Sequence, residues 1–291
     1  MNILVSVIIP TFGRPVNLSR AIDSVLSQTL NCFEIIVVDD NDPESLERNL
    51  TEQVMSRYVD KNIKYVKHTK NENGAVARNT GFKHSRGNYI SFLDDDDEFF
   101  SSKLENQIRF MVNNNYKFTY CRTLKCSNGK MIYESSYRSC GDLTKDILCS
   151  FSDLNSSSII VERGLFHLVN GFDPNFRRNQ DYEFILRCLE FEGLYCCDSV
   201  EVRRHLDSKI NHPSFQQYIS IRAEFFNKFK KTINKMSVVD YIDVISLYNI
   251  DLVKYSFRES KFMFIKYLFP ILPTPYVVKV LFFKTFAKYV N

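Results

Sequence analysis

The sequence predicts an α/β fold: a mixed, mostly parallel sheet flanked by helices, with a helical appendage at its C-terminal end. Three observations carry this. Apolar runs of strand length at 4–9, 33–38 and 63–66 alternate with helical patterns, the sign of parallel strands joined by crossovers. Two strand-like runs, 33–38 and 89–93, end in acidic clusters, so both clusters would fall on one edge of the sheet. Near Phe215 the character changes to long helical segments rich in Phe, Tyr and Lys.

Taken in order, residues 4–9 read as a buried strand that Pro10 stops. The loop Thr11-Phe12-Gly13-Arg14-Pro15 leads to a helix with Leu18, Ile22, Val25 and Leu26 on one face. A second strand at 33–38 ends in Asp39-Asp40-Asn41-Asp42, and a third at 63–66 follows another helix. Asn73-Gly74-Ala75 opens a helix carrying Arg78; helix N-terminal amides and a guanidinium suit an anion, although such an arginine also serves as a surface ion pair. Next comes the run Tyr89-Ile90-Ser91-Phe92-Leu93-Asp94-Asp95-Asp96-Asp97-Glu98. Leu104, Ile108, Met111 and Val112 mark a helix starting near Ser101 or Ser102. Residues 116–137 read as strands around an Asn128-Gly129 hairpin turn. A short strand at 156–161 and a helix opened by Asn179-Gln180-Asp181 follow, then an alternating strand at 200–205 ending in His205.

The bulk numbers are those of an ordinary globular protein: 291 residues, 44% hydrophobic and 25% charged. Eight cysteines show no C-x-x-C pair and no zinc-finger spacing, which fits free thiols in a reducing compartment. Met1-Asn2-Ile3-Leu4 carries no charged n-region, so no signal peptide is expected. The longest uncharged runs, 1–13 and 267–278, are too short to span a bilayer. Net charge is +4, but residues 252–291 hold seven Lys/Arg against one acid, a net +6 that leaves −2 for the rest. Aromatics mixed with spaced lysines over 262–290 suit an interfacial helix, or equally a helical subdomain packed on the core.

The acidic run is the chemical centre. Packed like charges at the carboxyl edge of an α/β sheet are relieved by a divalent cation, and ligands bind at that edge. Were the extended geometry to continue, Asp94 and Asp96 would point to one side and share an ion; a solvated turn before a helix is the plainer alternative. Asp181 sits in a first helical turn, where a carboxylate also serves the dipole. His205, a lone histidine on a strand, is by itself more ordinary as a structural residue.

Six segments in order make the chain resemble the family 2 glycosyltransferases of the GT-A fold over residues 3 to 210. They are Val7-Ile8-Ile9-Pro10-Thr11-Phe12, Val37-Val38-Asp39-Asp40, Asn73-Gly74 with Ala77-Arg78-Asn79-Thr80-Gly81, the acidic strand from Tyr89, Gln180-Asp181, and Arg204-His205. The resemblance implies that Pro10, Thr11 and Phe12 line a nucleotide pocket, with Phe12 against uracil and Asp39 accepting from its N3–H. It implies that Arg78 lies near the nucleotide, and that Asp94, Asp95 and Asp96 form a DxD element, with Asp94 near ribose and sugar and Asp96 on the metal. Asp181 would be the catalytic base, and His205 would reach the same ion. The expected cofactor is Mn²⁺ or Mg²⁺, hard cations suited to oxygen ligands. Gln180 departs from the Glu that commonly precedes the base.

The expected organisation is a catalytic domain at 1–214, with a nucleotide half about 1–98 and an acceptor half about 99–214, followed by a basic, aromatic region at 215–291. The expected activity is inverting, metal-dependent transfer from a UDP-sugar to a glycan acceptor on a polyprenyl diphosphate, in bacterial surface polysaccharide (O-antigen or capsule) assembly. It would be cytoplasmic, held on the inner face of the plasma membrane through its C-terminal region, and no nucleic-acid partner is expected. A nucleotidyltransferase would need a Gly-rich, Lys-containing loop after the first strand, and residues 11–17 hold one glycine and no lysine. A non-catalytic membrane-surface scaffold would tolerate loss of Asp96 and Asp181.

Overall fold

The computed structural model describes residues 3–59, 62–150, 152–206 and 214–259. The chain begins β1 (Val5–Thr11), α1 (Pro15–Leu26), β2 (Phe33–Asp39), α2 (Leu46–Met55), β3 (Ile63–Lys67), α3 (Gly74–Lys83) and β4 (Tyr89–Phe92). It continues with β5 (Asp97–Phe99), α4 (Lys103–Asn114), β6 (Phe118–Ser127), β7 (Lys130–Glu134), α5 (Thr144–Leu148) and β8 (Ile159–Glu162). Next come α6 (Arg163–Leu168), α7 (Gln180–Leu189) and β9 (Tyr195–His205), then α8 (Phe215–Lys228), α9 (Lys230–Asn234) and α10 (Val238–Glu259). The chain divides into two compact units, Met1–Leu143 with Ser152–Ile210, and Thr144–Phe151 with Asn211–Asn291.

The first unit is one sheet ordered β3-β2-β1-β4-β8-β6-β9-β5, with β7 beside β6. β3, β2, β1 and β4 are mutually parallel; β8 runs antiparallel to β4 and to β6, while β9 runs parallel to β6. β1 and β2 are buried on both faces, as their unbroken apolar runs require. One face packs Val5, Val7, Ile9, Ile35 and Val37 against Leu18, Ile22 and Val25 of α1. Ile36 and Val38 on the other face meet Ala77 of α3. Parallel register sets Thr11 beside Asp39 and Ile8 beside Phe92, so β1, β2 and β4 deliver their carboxyl ends to one edge.

Three sequence expectations change. Pro10 does not stop β1, which continues to Thr11 and pairs Pro10 with Val38 of β2. β4 pairs only as far as Ile8 and Phe92, so the missing proline N–H faces no neighbouring strand there. The extended geometry does not continue from Asp94 to Asp96: the Asp97 amide donates to the Asp94 carbonyl at 3.0 Å, turning the chain, and Asp97 starts a new strand. Residues 156–158 form a 3-10 turn, and strand begins at Ile159. The Asn128-Gly129 hairpin is present, with φ of 49° and 73° at its two corner residues.

In the second unit the Lys145 ammonium of α5 donates to Asp240 and Asp243 of α10 at 2.5 and 2.8 Å. Among the described residues, no helix is long and apolar enough to cross a membrane. Of the basic tail, Lys254 and Arg258 fall within α10, and residues 260–291 lie outside the described residues.

Candidate active site

A cleft of about 600 Å³ opens at the carboxyl edge of β1 and β4, bordered by Pro10, Thr11, Phe12, Asp40, Arg78 and Asp94 among others. Phe12 is 53% exposed, and a bare aromatic ring at a cleft mouth offers a stacking face. Gly13 follows at φ 71°, a turn that L side chains resist, and its amide donates to Asn41 Oδ1 at 2.8 Å.

The opposite wall is the start of α3. Asn73 caps it, its Oδ1 accepting from the Ala75 and Val76 amides at 2.9 and 3.2 Å. Asp40 pins this cap: its carboxylate accepts from the Glu72 and Asn73 amides at 2.9 Å, and His68 Nδ1 lies 2.7 Å away. A Cβ at Gly74 would stand 3.0 Å from Arg78 Nη1 and 3.1 Å from Gln180 Oε1, tight contacts with the ends of two long side chains. Arg78 lies across this opening. It donates to Asp94 Oδ1 at 2.6 Å, to Ser156 Oγ at 3.2 Å and to Gln180 Oε1 at 3.0 Å. Gln180 also donates to the Phe176 carbonyl at 2.7 Å, so the residue preceding Asp181 ties α7 to Arg78 without a negative charge.

The acidic run splits by direction. Asp94 faces the cleft between Arg78 and Ser156. Asp95 is fully buried, accepting from Thr11 Oγ1 at 2.8 Å and the Phe12 amide at 3.3 Å, with Arg14 at 2.7 Å; it fixes the loop after β1. Asp96 pairs with Arg14, and Asp97 accepts from Ser157 at 2.8 Å. Burial, reinforced by neighbouring carboxylates, pushes the Asp97 carboxyl above its ordinary range, while Arg204 pulls it down. Arg78 holds Asp94 below the ordinary range despite burial.

Asp181 borders a smaller recess of about 220 Å³ that shares Arg78, Asp94 and Gln180 with the main cleft. One of its oxygens accepts from the Tyr182 amide at 3.0 Å. Burial raises its carboxyl above the ordinary aspartate range, with Asp94 adding to the rise and Arg78 and Arg204 opposing it. Arg78, Asp94 and Asp181 thus come from three separate elements to one place. Asp39 does not border the cleft. Its buried carboxylate is held by Arg48 at 3.0 Å, by the Tyr65 hydroxyl and by Asn41, and Asp40 lines the cleft instead.

Whether the residues fit a divalent ion turns on His205. Its Nε2 is buried without a hydrogen-bond partner, 3.3 Å from Glu98 Oε1 but outside hydrogen-bond geometry. His205 ends β9, whose ladder with β5 begins at Asp97 opposite Arg204, while Asp96 stands in the turn before β5 and pairs with Arg14. Among the described residues no three His, Cys, Asp or Glu side chains cluster closely enough to hold a metal alone. A magnesium-like ion needs only one or two carboxylates when substrate phosphates and water complete its shell. The orphaned His205 nitrogen and the carboxylates of the acidic run are donors of the right chemistry for such an ion, with Asp96 here paired to Arg14 and neither Asp96 nor His205 bordering the cleft. Sequence reasoning passed over Arg14, Asp40 and Ser156: the first two lie in loops following β1 and β2, and Ser156 lies in the turn that leads into β8.

A profile described as Glycosyl transferase family 2 matches residues 6–170. An uncharacterized glycosyltransferase of Rickettsia bellii is 47% identical over 116 residues, 40% of this chain and 16% of that protein. The chain likewise spans only 21% and 18% of the relatives from Rickettsia felis and Rickettsia conorii. The Escherichia coli protein named UDP-Glc:alpha-D-GlcNAc-diphosphoundecaprenol beta-1,3-glucosyltransferase WfgD is 29% identical over 187 residues, 64% of this chain and 70% of its own length. Among solved structures, S. aureus TarS matches with a TM-score of 0.62 at 17% identity, over 89% of this chain and 44% of TarS. TarS 1–349 in complex with UDP-GlcNAc gives 0.61 at 17%, over 87% and 84%. At such identity the likeness is one of fold.

Proposed function

From the premise that this chain belongs to glycosyl transferase family 2 and carries the GT-A fold, we propose that it transfers a sugar from a UDP-sugar to a glycan acceptor, with inversion. The observation that carries the reading is the meeting of Arg78, Asp94 and Asp181 on a recess that adjoins the cleft at the carboxyl edge of the parallel strands and shares Arg78 and Asp94 with it. The UDP and UDP-GlcNAc complexes named for TarS support a nucleotide-sugar donor. WfgD's name supports a lipid-diphosphate acceptor, as in O-antigen or capsule assembly.

The donor's base lies against Phe12 between Pro10, Thr11 and Asp40. Its diphosphate crosses Gly74, where the absent side chain lets the phosphates approach Arg78. Arg78 offers a planar cation to the charge that grows on the leaving diphosphate. Asp94 orients the ribose and sugar, and Asp95 keeps the Thr11–Arg14 loop in place. Asp96 and His205 would hold Mn²⁺ or Mg²⁺, which when bound offsets the same departing charge. The Asp181 oxygen not engaged by Tyr182 takes the proton of the attacking acceptor hydroxyl, help worth about 10²–10⁴-fold. The basic region from Lys254 onward attracts the anionic inner face of a bacterial plasma membrane, bringing the site to its lipid-borne acceptor.

The test is mass spectrometry, with proton NMR of the new anomeric centre, of the products formed from a panel of UDP-sugars with a GlcNAc-diphosphate lipid and divalent cation. One UDP-sugar should add a single hexose unit of inverted anomeric configuration. Release of no UDP from any donor would refute the reading.

A further inference from the structure

The recess beside Asp181 contains more positive charge than transfer from the donor requires. Arg177 and Arg178 stand next to one another on its rim with Arg78 behind them, against the two carboxylates Asp94 and Asp181. Arg78 is committed to Asp94 at 2.6 Å. Arg177 borders both the donor cleft and the recess, whereas Arg178 borders the recess and not the cleft.

The segment that carries them is fixed at both ends. The Pro174 carbonyl accepts from Asn73 Nδ2 at 3.0 Å, Phe176 is buried, and Gln180 bonds back to the Phe176 carbonyl at 2.7 Å. Asn179 takes a left-handed turn at φ 55° immediately before α7, so Asp181 and the two arginines are set by one short anchored segment. Both arginines are exposed to solvent.

We infer that Arg177 and Arg178 form an acceptor-phosphate site, gripping the diphosphate that carries the acceptor sugar and so aiming its hydroxyl at Asp181. This rests on the transferase reading and goes beyond it by assigning the acceptor's anionic group to two residues. A guanidinium pair matches phosphate oxygens by paired hydrogen bonds, and a diphosphate one sugar away from the reacting hydroxyl is within reach of a rim this close to the base. Arg178 is the discriminating residue, since it has no place on the donor cleft.

The test compares two acceptors, GlcNAc-diphosphate on a short alkyl chain and the neutral alkyl glycoside of GlcNAc, for the wild type, Arg178→Ala, Arg177→Ala/Arg178→Ala and Arg178→Lys. UDP affinity is measured in parallel by calorimetry. The wild type should favour the diphosphate acceptor at least tenfold in kcat/KM. Arg178→Ala should cut that preference several-fold through acceptor KM, the double variant should abolish it, and Arg178→Lys should recover part. UDP affinity close to wild type in Arg178→Ala and Arg178→Lys, and an unchanged denaturation midpoint in the double variant, show that the variants are folded. A preference that survives the double variant overturns the inference while leaving the transferase reading intact. A parallel loss of UDP affinity in Arg178→Ala overturns it too, by moving Arg178 to the donor. A wild type that turns over neither acceptor with any UDP-sugar removes the transferase reading and this assignment with it.

Discussion

Asp39 and Asp181 show how differently two carboxylates of one edge are used. Asp39 is buried with its oxygens committed to Arg48, Tyr65 and Asn41, and Arg48 in turn donates to the carbonyls of Asp39, Asn41 and His68. Removing one partner of such a pair strands the other charge, at a cost of about 3 kcal/mol or more. Asp39→Ala should therefore lower the denaturation midpoint strongly, and a variant of wild-type stability that merely lost UDP would contradict this. Asp181 has one oxygen uncommitted to Tyr182 and a carboxyl raised by burial. A base works only when ionised, so turnover should fall as pH drops through this raised pKa. The acid limb of the kcat profile should lie above the ordinary aspartate value of about 4. A limb at or below that value would remove Asp181 from the role. The types and order of these residues were readable in the sequence. Their commitments were not, because Arg48 and Tyr65 reach Asp39 only after α2 and β3 have packed.

At the scale of elements, position depends on how closely α3 lies on the sheet. Gly81 sits against β1 so tightly that an added Cβ would stand 2.3 Å from Ile8 Cγ2. Ile8 is fully buried and cannot swing away, so α3 would have to lift, carrying Arg78 out of the cleft. Gly81→Ala should cost about 1–3 kcal/mol by overpacking and should also weaken UDP binding. Unaltered stability by chemical denaturation would show that the helix has room. Strands β1 to β4 and helices α1 and α4 were legible from the runs and spacing of their apolar residues, and α3 from the Asn73-Gly74 that opens it. The turn at Asp94–Asp97 and the strand β5 were not. The ladder that makes 97–99 a strand is supplied by β9, a hundred residues later, and nothing local to five acidic residues foretells it.

For the whole molecule, the uneven charge is the property the sequence states most openly. A body of net −2 joined to forty residues of net +6 is a dipole that an anionic bilayer would orient. Replacing the seven cations from Lys254 to Lys288 by glutamine should abolish co-sedimentation with anionic vesicles at low salt, and binding equal to wild type would contradict that role. The sheet, its order and the cleft at its edge serve one claim, that a carboxylate on α7 faces a nucleotide sugar held by α3 and the ends of β1 and β4. The most direct measurement of it is the Asp181→Asn variant, assayed for UDP binding and for transfer in the same preparation. UDP affinity within about twofold of wild type, with turnover lowered by ~10²-fold or more, is the expected result. Turnover preserved alongside intact UDP binding would contradict it.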